Sequence, residues 1–254
     1  MKKEYITIAT LFAVGSMCTN AETEAITFDT LVSGATGTNV TDVSFQYEGE
    51  ATVVYQFDKG AFTNLKNSTV VDALKAETGV VTVAAWVAPT KGSYNSIFGW
   101  GETGTGFKFT LKPTGDNFDP AFVTKNVKET VVTSIDIPSS EWTLVYMSYN
   151  VGDTCFRIGT SATEVGFTDN RSSNPVTKTS FAIGSADGDS LAEAYSGLIA
   201  NLTVVTSDNW LNSSDIINMM GTAPKAVATP EPSTFGLLAG LGALALVGTR
   251  RRRR

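Results

Sequence analysis

The 254-residue sequence contains no histidine and only two cysteines. Without histidine the chain cannot build a Ser-His-Asp triad, a Cys-His pair or an imidazole-based zinc site. Cys18 lies in an N-terminal apolar run, so Cys155 is alone in the body of the chain and no intrachain disulfide can form there. The composition therefore excludes histidine-dependent catalysis and a disulfide framework.

Basic residues are scarce in the body of the chain. Lys and Arg number 19 against 25 Asp and Glu, and seven of the basic residues are Lys2, Lys3 and Arg250–Arg254. Without these ends and Glu4, 12 basic residues face 24 acidic ones, a net charge of −12. A surface of that sign repels phosphate, so we predict that the chain does not bind nucleic acid. Hydrophobic residues make up 42% of the sequence, which indicates a packed globular body.

The first 21 residues have the pattern of an export signal. Lys2 and Lys3 precede an apolar stretch over 6–17, and Thr19 and Ala21 supply small residues at the −3 and −1 positions of a cleavage site. A short buried helix is the alternative interpretation. We predict a signal peptide at 1–21 and an exported protein.

A second targeting pattern closes the chain. Pro230, Glu231 and Pro232 precede a 14-residue apolar run over 235–248, and Arg250 and Arg251 begin the terminal arginine cluster. The run is shorter than the roughly 20 residues that span a membrane comfortably. Arginines that follow such a run stay on the cytoplasmic side. The alternative, a nucleic-acid arm, does not suit an exported domain.

This order of motif, apolar run and arginine cluster resembles the PEP-CTERM sorting signal of Gram-negative bacteria. The resemblance implies that the tail is a transient transmembrane helix in the inner membrane. It also implies recognition by an exosortase, a membrane protease-transpeptidase, and delivery to the cell surface or the extracellular matrix. We therefore assign 22–221 to one domain, 222–234 to a linker with the Pro-Glu-Pro motif, and 235–254 to the sorting signal.

The body reads as a series of short strands. Runs rich in Val, Ile, Thr and aromatic residues are separated by turn-like sequences such as KGSYN, KPTGDN and SADGDS. Alternation at Phe107, Phe109 and Leu111 predicts a strand with one buried face. A single helix is expected in LNSSDIINMMG, with Ser213 or Ser214 as cap and Gly221 as stop. The predicted strands are at 26–32, 43–47, 51–57, 80–87, 106–112, 142–149, 155–161 and 196–205.

Several of these segments resemble the LamG or concanavalin A-like jelly roll. VVTVAAWVAP is similar to an early strand of that family, with Trp86 in the core position, and SSEWTLVYMSYNVGDTCFRIGT is similar to its central hairpin. Ala200 and Asn201 stand where the family usually has an acidic residue. The resemblance implies an all-β, concanavalin A-like (LamG) jelly-roll sandwich with one short C-terminal helix.

No catalytic site is visible. Retaining glycoside hydrolases need two carboxylates about 5 Å apart, and the related laminarinases place them as Glu-x-Asp-x-(x)-Glu on one strand. No Glu in this sequence has an Asp two positions later, and Glu48 and Glu50 suit a solvated turn. We predict that the protein is not an enzyme.

Calcium is the cofactor that the sequence and the resemblance suggest. Asp187 and Asp189 place two carboxylates on one turn, and oxygen ligands are what Ca²⁺ prefers. The LamG resemblance implies one calcium near the rim of the sandwich. The alternative is an ordinary turn, which selects the same residues.

Aromatic residues in or beside predicted turns are candidate sugar platforms, namely Tyr94, Trp100 and Trp210, although ordinary packing is the alternative for each. We predict an exported, non-catalytic binding module for a glycan or extracellular matrix polymer. The alternatives are a structural surface or matrix protein without a small ligand and, third, a glycoside hydrolase.

Overall fold

The computed structural model describes residues 23–47, 50–75, 79–90, 93–101, 106–124, 128–150, 155–168 and 180–226. The strands in chain order are β1 Glu24–Thr27, β2 Gly37–Tyr47, β3 Glu50–Leu65, β4 Val80–Pro89, β5 Asn95–Trp100, β6 Phe107–Thr114, β7 Asn117–Thr124, β8 Lys128–Val131, β9 Ile137–Pro138, β10 Thr143–Asn150, β11 Cys155–Thr160, β12 Glu164–Thr168, β13 Phe181–Ile183, β14 Tyr195–Ser207 and β15 Lys225–Ala226. The helices are α1 Phe28–Leu31, α2 Ser68–Lys75 and α3 Ser213–Met220. The prediction of an all-β chain is confirmed.

The strands form one curled antiparallel sheet in the order β12-β11-β10-β4-β14-β3-β13-β5-β6-β7-β8. β1 joins at β14, β2 at β3, β15 at β2 and β9 at β7. The half of the sheet that contains β4, β10 and β11 (the first half) faces the half that contains β5, β6 and β7 (the second half), because rings from β6 and β7 contact rings from β10 and β11. Phe107 lies 5.2 Å from Tyr149, and Phe122 lies 4.3 Å from Phe156, between ring centroids.

The main core lies between the two halves and is formed by the side chains that alternate inwards along the strands. Phe107, Phe109 and Leu111 on β6 are all buried, as their alternation predicts. A second, smaller cluster lies on the outer face of the first half, under α3. There Trp86 donates its indole N–H to the carbonyl of Met220 at 3.0 Å. β4 is thus buried on both faces, by aliphatic residues towards the main core and by Trp86 towards the smaller cluster, and this apolar burial stabilises this half of the sheet.

The predicted C-terminal helix is confirmed, and two other helical segments were not expected. α3 ends at Gly221 as predicted, although its N-cap is Asn212. The strand predicted over 26–32 is wrong after Thr27, because α1 begins at Phe28 and buries both Phe28 and Leu31. α2 starts where the side-chain Oδ1 of Asn67 accepts the backbone N–H of Val70 at 3.1 Å.

The folded domain continues past the predicted boundary at 221. Pro224 is buried, and Lys225 and Ala226 pair with Gln46 and Phe45 of β2. The first residues of the predicted linker are therefore part of the sheet. The predicted signal peptide and the predicted sorting signal at 235–254 lie outside the described residues.

Among the helices of the described residues, none is long and apolar enough to span a membrane. The predicted transmembrane run over 235–248 is outside that part of the chain.

Candidate functional site

The outer face of β5–β8 carries a polar patch that follows from strand alternation. On β6 the core residues alternate with Lys108, Thr110 and Lys112, which point the other way. Tyr94 precedes β5 and is half-buried. The Nζ atoms of Lys108 and Lys112 each lie 5.9 Å from the centroid of the Tyr94 ring. This distance is within the range of a cation–π contact.

Two glutamates complete this patch, which we call the Tyr94 face (Tyr94, Lys108, Lys112, Glu129 and Glu193). Lys108 pairs with Glu193, and Lys112 pairs with Glu129 at 3.1 Å. Hydrogen bonds with Glu129 and with Tyr94 raise the pKa of Lys112, so the ammonium form is favoured there. The Tyr94 ring is thus framed by two ion pairs whose charges cancel.

The loop between β13 and β14 forms one side of the Tyr94 face. Ser96 on β5 donates its backbone N–H to the carbonyl of Glu193 at 3.1 Å. A Cβ on Gly99 would lie 2.4 Å from backbone atoms of Ser185 and Ala186, so only glycine lets the loop lie this close to β5. The loop is therefore fixed against the sheet and holds Glu193 beside Lys108.

The two predicted calcium ligands lie in this same loop but differ in exposure. Asp187 is 8% exposed, and its Oδ2 accepts the hydroxyl of Ser190 at 2.9 Å. The side chain of Asp189 is exposed. Within the described residues no group of three His, Cys, Asp or Glu side chains converges. Because Ca²⁺ takes about 6–8 oxygens, these two carboxylates would need backbone carbonyls or water to complete a site.

Trp210 lies on the other side of the molecule, near the outer face of the first half. The guanidinium of Arg157 on β11 sits 4.4 Å from the Trp210 ring centroid and pairs with Glu164 Oε1 at 3.6 Å. Glu164 Oε2 accepts hydroxyls from Tyr146 at 2.8 Å and from Ser213 at 2.9 Å. We call these five residues the Trp210 cluster. Burial, together with Glu164, raises the pKa of Tyr146 to about 12.

Trp100 does not have the exposure that a sugar platform needs. Its side chain is 5% exposed and packs against Phe107, with the centroids 5.8 Å apart. The turn predicted at this position begins one residue later, since Trp100 is the last residue of β5 and pairs with Phe107 and Phe181. Trp100 therefore belongs to the core and is not part of the candidate site.

The structure thus separates the three predicted aromatics among the Tyr94 face, the core and the Trp210 cluster. Sequence reasoning missed Lys108, Lys112, Glu129 and Glu193. The alternation that predicted the buried face of β6 also assigns Lys108 and Lys112 to the opposite face, so that signal was present. Glu193 approaches β6 only through the fold of the β13–β14 loop.

A curled antiparallel sheet closed over an aromatic core, with polar patches on its outer faces, defines a jelly-roll sandwich. The chain belongs to the concanavalin A-like lectin/glucanases superfamily, whose family model matches residues 59–216. A second model, the PEP-CTERM protein-sorting motif, matches residues 228–253, which confirms the recognition of the tail. A comparison with curated protein sequences gave no significant match.

Several solved structures are similar to the chain. Domain 4 of an extracellular arabinanase from Geobacillus stearothermophilus, solved with arabinotriose, has 16% identity and a TM-score of 0.49, over 78% of this chain and 98% of that one. The CBM40 of a Ruminococcus gnavus sialidase, bound to sialyllactose, has 9% identity and a TM-score of 0.47, over 74% and 98%. A putative carbohydrate-binding protein from Bacteroides ovatus has 14% identity and a TM-score of 0.46, over 73% and 49%. Identities this low carry no information about ligands.

Proposed function

We propose that the protein is an exported, non-catalytic binding module that holds a glycan or another extracellular polymer on the Tyr94 face. The observation that carries this proposal is the half-buried Tyr94 ring framed by two lysines at 5.9 Å. An aromatic ring beside fixed hydrogen-bonding groups matches a sugar, which offers an apolar C–H face and a ring of hydroxyls.

Charge favours a neutral polymer as the ligand. Lys108 and Lys112 are each paired with a glutamate, so neither is left to attract an anionic chain. The predicted mature body carries a net charge of −12 outside the termini, which repels polyanions at longer range. A neutral polysaccharide avoids both effects and uses the paired side chains as hydrogen-bond donors and acceptors.

The pairing of the carboxylates supports a non-catalytic role. A retaining glycoside hydrolase needs one carboxylic acid and one carboxylate about 5 Å apart, both directed at the scissile bond. On the described part of the Tyr94 face, Glu129 and Glu193 are instead committed to separate lysines. We therefore propose binding without bond cleavage.

A glycan-array screen on the full chain, followed by calorimetric titration of the best ligand, tests this function. We expect saturable binding to neutral polysaccharides. Tyr94→Ala removes the aromatic ring and should weaken binding at least about tenfold, which is about 1.4 kcal/mol. Tyr94→Phe should keep most of the affinity. Trp210→Ala, on the opposite side, is the matched control and should leave binding unchanged.

Three results would contradict the proposal. Absence of binding across the array would favour a structural surface or matrix protein. Binding that is lost in Trp210→Ala but kept in Tyr94→Ala would move the site to the Trp210 cluster. Release of reducing sugar from the bound polymer would make the protein a hydrolase.

We further propose that the tail directs the module to the cell surface or extracellular matrix through an exosortase, after transient anchoring in the inner membrane. The match at 228–253 supports this, because that motif is a protein-sorting motif. Cell fractionation tests it. Replacing Pro230, Glu231 and Pro232 by alanine should leave uncleaved protein in the membrane fraction, and unchanged sorting would contradict this part of the proposal.

A further inference from the structure

A pocket of about 310 Å³ opens where β14 changes its partner strand. Ala200 on β14 pairs with Val54 of β3, whereas Thr203 pairs with Thr27 of β1. Over the residues between them the strand bulges, and Asn201 adopts a left-handed conformation with φ of 50°. β3 and β1 therefore pair with successive parts of β14, and the pocket lies between these two strands, as in the gap of a fork. We call it the fork pocket.

Part of the lining of the fork pocket is apolar and open to solvent. Val53 on β3 is 47% exposed and Met219 on α3 is 40% exposed, and both line the pocket. They are two of the three large hydrophobic side chains that are exposed in the described part of the chain. Exposed apolar groups from separate elements that meet at one cavity are typical of a binding site. Methionine adapts its shape to different ligands, which suits such a rim.

The lining of the fork pocket also includes one carboxylate. Asp29 on α1 lines the pocket, and its Oδ1 accepts the hydroxyl of Tyr55 at 3.2 Å. Burial raises the pKa of Tyr55 well above its usual value, and Asp29 and Asp42 add to the shift. The phenol therefore keeps its proton and continues to orient the carboxylate. No basic side chain lines the pocket among the described residues.

We propose that the fork pocket binds a small ligand that joins an aliphatic body to a primary ammonium group. The aliphatic body lies against Val53 and Met219, and the ammonium group faces the Asp29 carboxylate. A volume of about 310 Å³ lies at the lower limit of ligand pockets, which start at about 300 Å³, so it fits a single six-membered ring with one substituent. This site is separate from the Tyr94 face and does not depend on the function proposed for it.

Methionine-methyl NMR on the full chain tests the proposal with site resolution. The chain has five methionines, of which Met219 and Met220 line the pocket and Met147 is fully buried in the main core. The probes are cyclohexylmethylamine and cyclohexylmethanol, which match in shape and differ in charge at pH 7. We expect both probes to shift the methyl signals of Met219 and Met220 but not that of Met147. The amine should bind about fivefold more tightly, the upper range for a solvent-exposed ion pair.

Variants separate the charge from the apolar contact. Asp29→Asn keeps the shape and an acceptor for Tyr55 but removes the charge, so the two probes should bind equally. Asp58→Asn, which changes an exposed aspartate on β3 that does not line the pocket, is the matched control and should keep the fivefold preference. Met219→Ala should weaken both probes.

Two outcomes would overturn the proposal. If neither probe moves the Met219 and Met220 signals at millimolar concentration, the fork pocket is not a site for this class of ligand. If the wild type binds amine and alcohol equally, or Asp29→Asn keeps the preference, the carboxylate does not select an ammonium group. A Met147 signal that stays at its wild-type position in each variant shows that the fold is intact.

Discussion

Gly159 on β11 stands where a larger side chain would collide with Tyr146 on β10. The two residues are paired across the sheet, and a Cβ on Gly159 would lie 2.2 Å from both Cζ and the hydroxyl oxygen of Tyr146. Tyr146 is fully buried, and its hydroxyl is bonded to Glu164. To reach an ordinary contact of 3.4 Å the ring must move by about 1.2 Å, which breaks that hydrogen bond.

The cost of Gly159→Ala follows from these two effects. Overpacking a core costs about 1–3 kcal/mol, and a lost hydrogen bond to a charged group costs about 1.5–3 kcal/mol. We expect the free energy of unfolding to fall by about 3 kcal/mol. For a domain of this size that lowers Tm by roughly 6–12 °C. The effect is steric, because Gly159 does not have a positive φ.

Thermal and urea unfolding of the full chain, followed by tryptophan fluorescence, measures this change. Gly166→Ala in the neighbouring strand β12 is the matched control, since its Cβ would meet only Arg157 Cγ at 3.8 Å. We expect that control to stay within about 1 kcal/mol of wild type. Combined with Tyr146→Leu, Gly159→Ala should cost little more than Tyr146→Leu alone, because the colliding ring is gone. A Tm within about 2 °C of wild type, or strictly additive effects, would refute the steric reasoning.

Three further predictions concern other parts of the fold. The pKa of Tyr146 is raised above that of an unfolded tyrosine, so stability should fall as pH rises from about 10 towards 12. Tyr146→Phe should make that part of a pH series of urea midpoints less steep, with the remaining slope due to Tyr55 and Tyr195. Trp86→Phe removes the hydrogen bond to Met220 and should lower the free energy of unfolding by about 2 kcal/mol. Amide exchange in α3 should become faster, and unchanged exchange would contradict the role of Trp86 in anchoring this helix. If the calcium predicted from the sequence binds at Asp187 and Asp189, it should raise the Tm of wild type but not of Asp187→Asn; no shift in wild type would contradict that prediction, and equal shifts in both would place the calcium elsewhere.

Strand alternation predicts the sandwich and one face of the candidate site. Phe107 and its neighbours two residues apart identify the buried side of β6, and the lysines between them identify the outer side. This works because side-chain direction in a strand is a local property. The same reasoning fails at 26–32, where β-branched and aromatic residues favour a strand. The chain turns into α1 instead, because a helical turn buries both Phe28 and Leu31 in the core.

Whether Tyr94, Trp100 and Trp210 lie in the core or on an outer face depends on how distant strands pair. Trp100 looks like a loop residue because glycines follow it, but its pairing with Phe107 and Phe181 places it inside the sandwich. Trp210 and Tyr94 lie on the outer faces of opposite halves of the sheet. This arrangement follows from the closure of the sheet and not from any local pattern. The fork pocket was also unpredictable, since it arises from a change of partner along β14 rather than from any motif.

The two-residue strand β15 determines how the domain would respond to a pull on its C-terminus. The described part of the chain ends at Ala226, which is paired at the edge of β2, so a pull applied from the C-terminal side would load β15 first. Two paired residues resist little force. The load would then pass through Pro224 to α3, whose Ile216 and Met220 are embedded beside Trp86. Detaching α3 would uncover one outer face of the sheet while the main core stays closed, so the fold has a mechanical weak point at the end that bears the sorting signal.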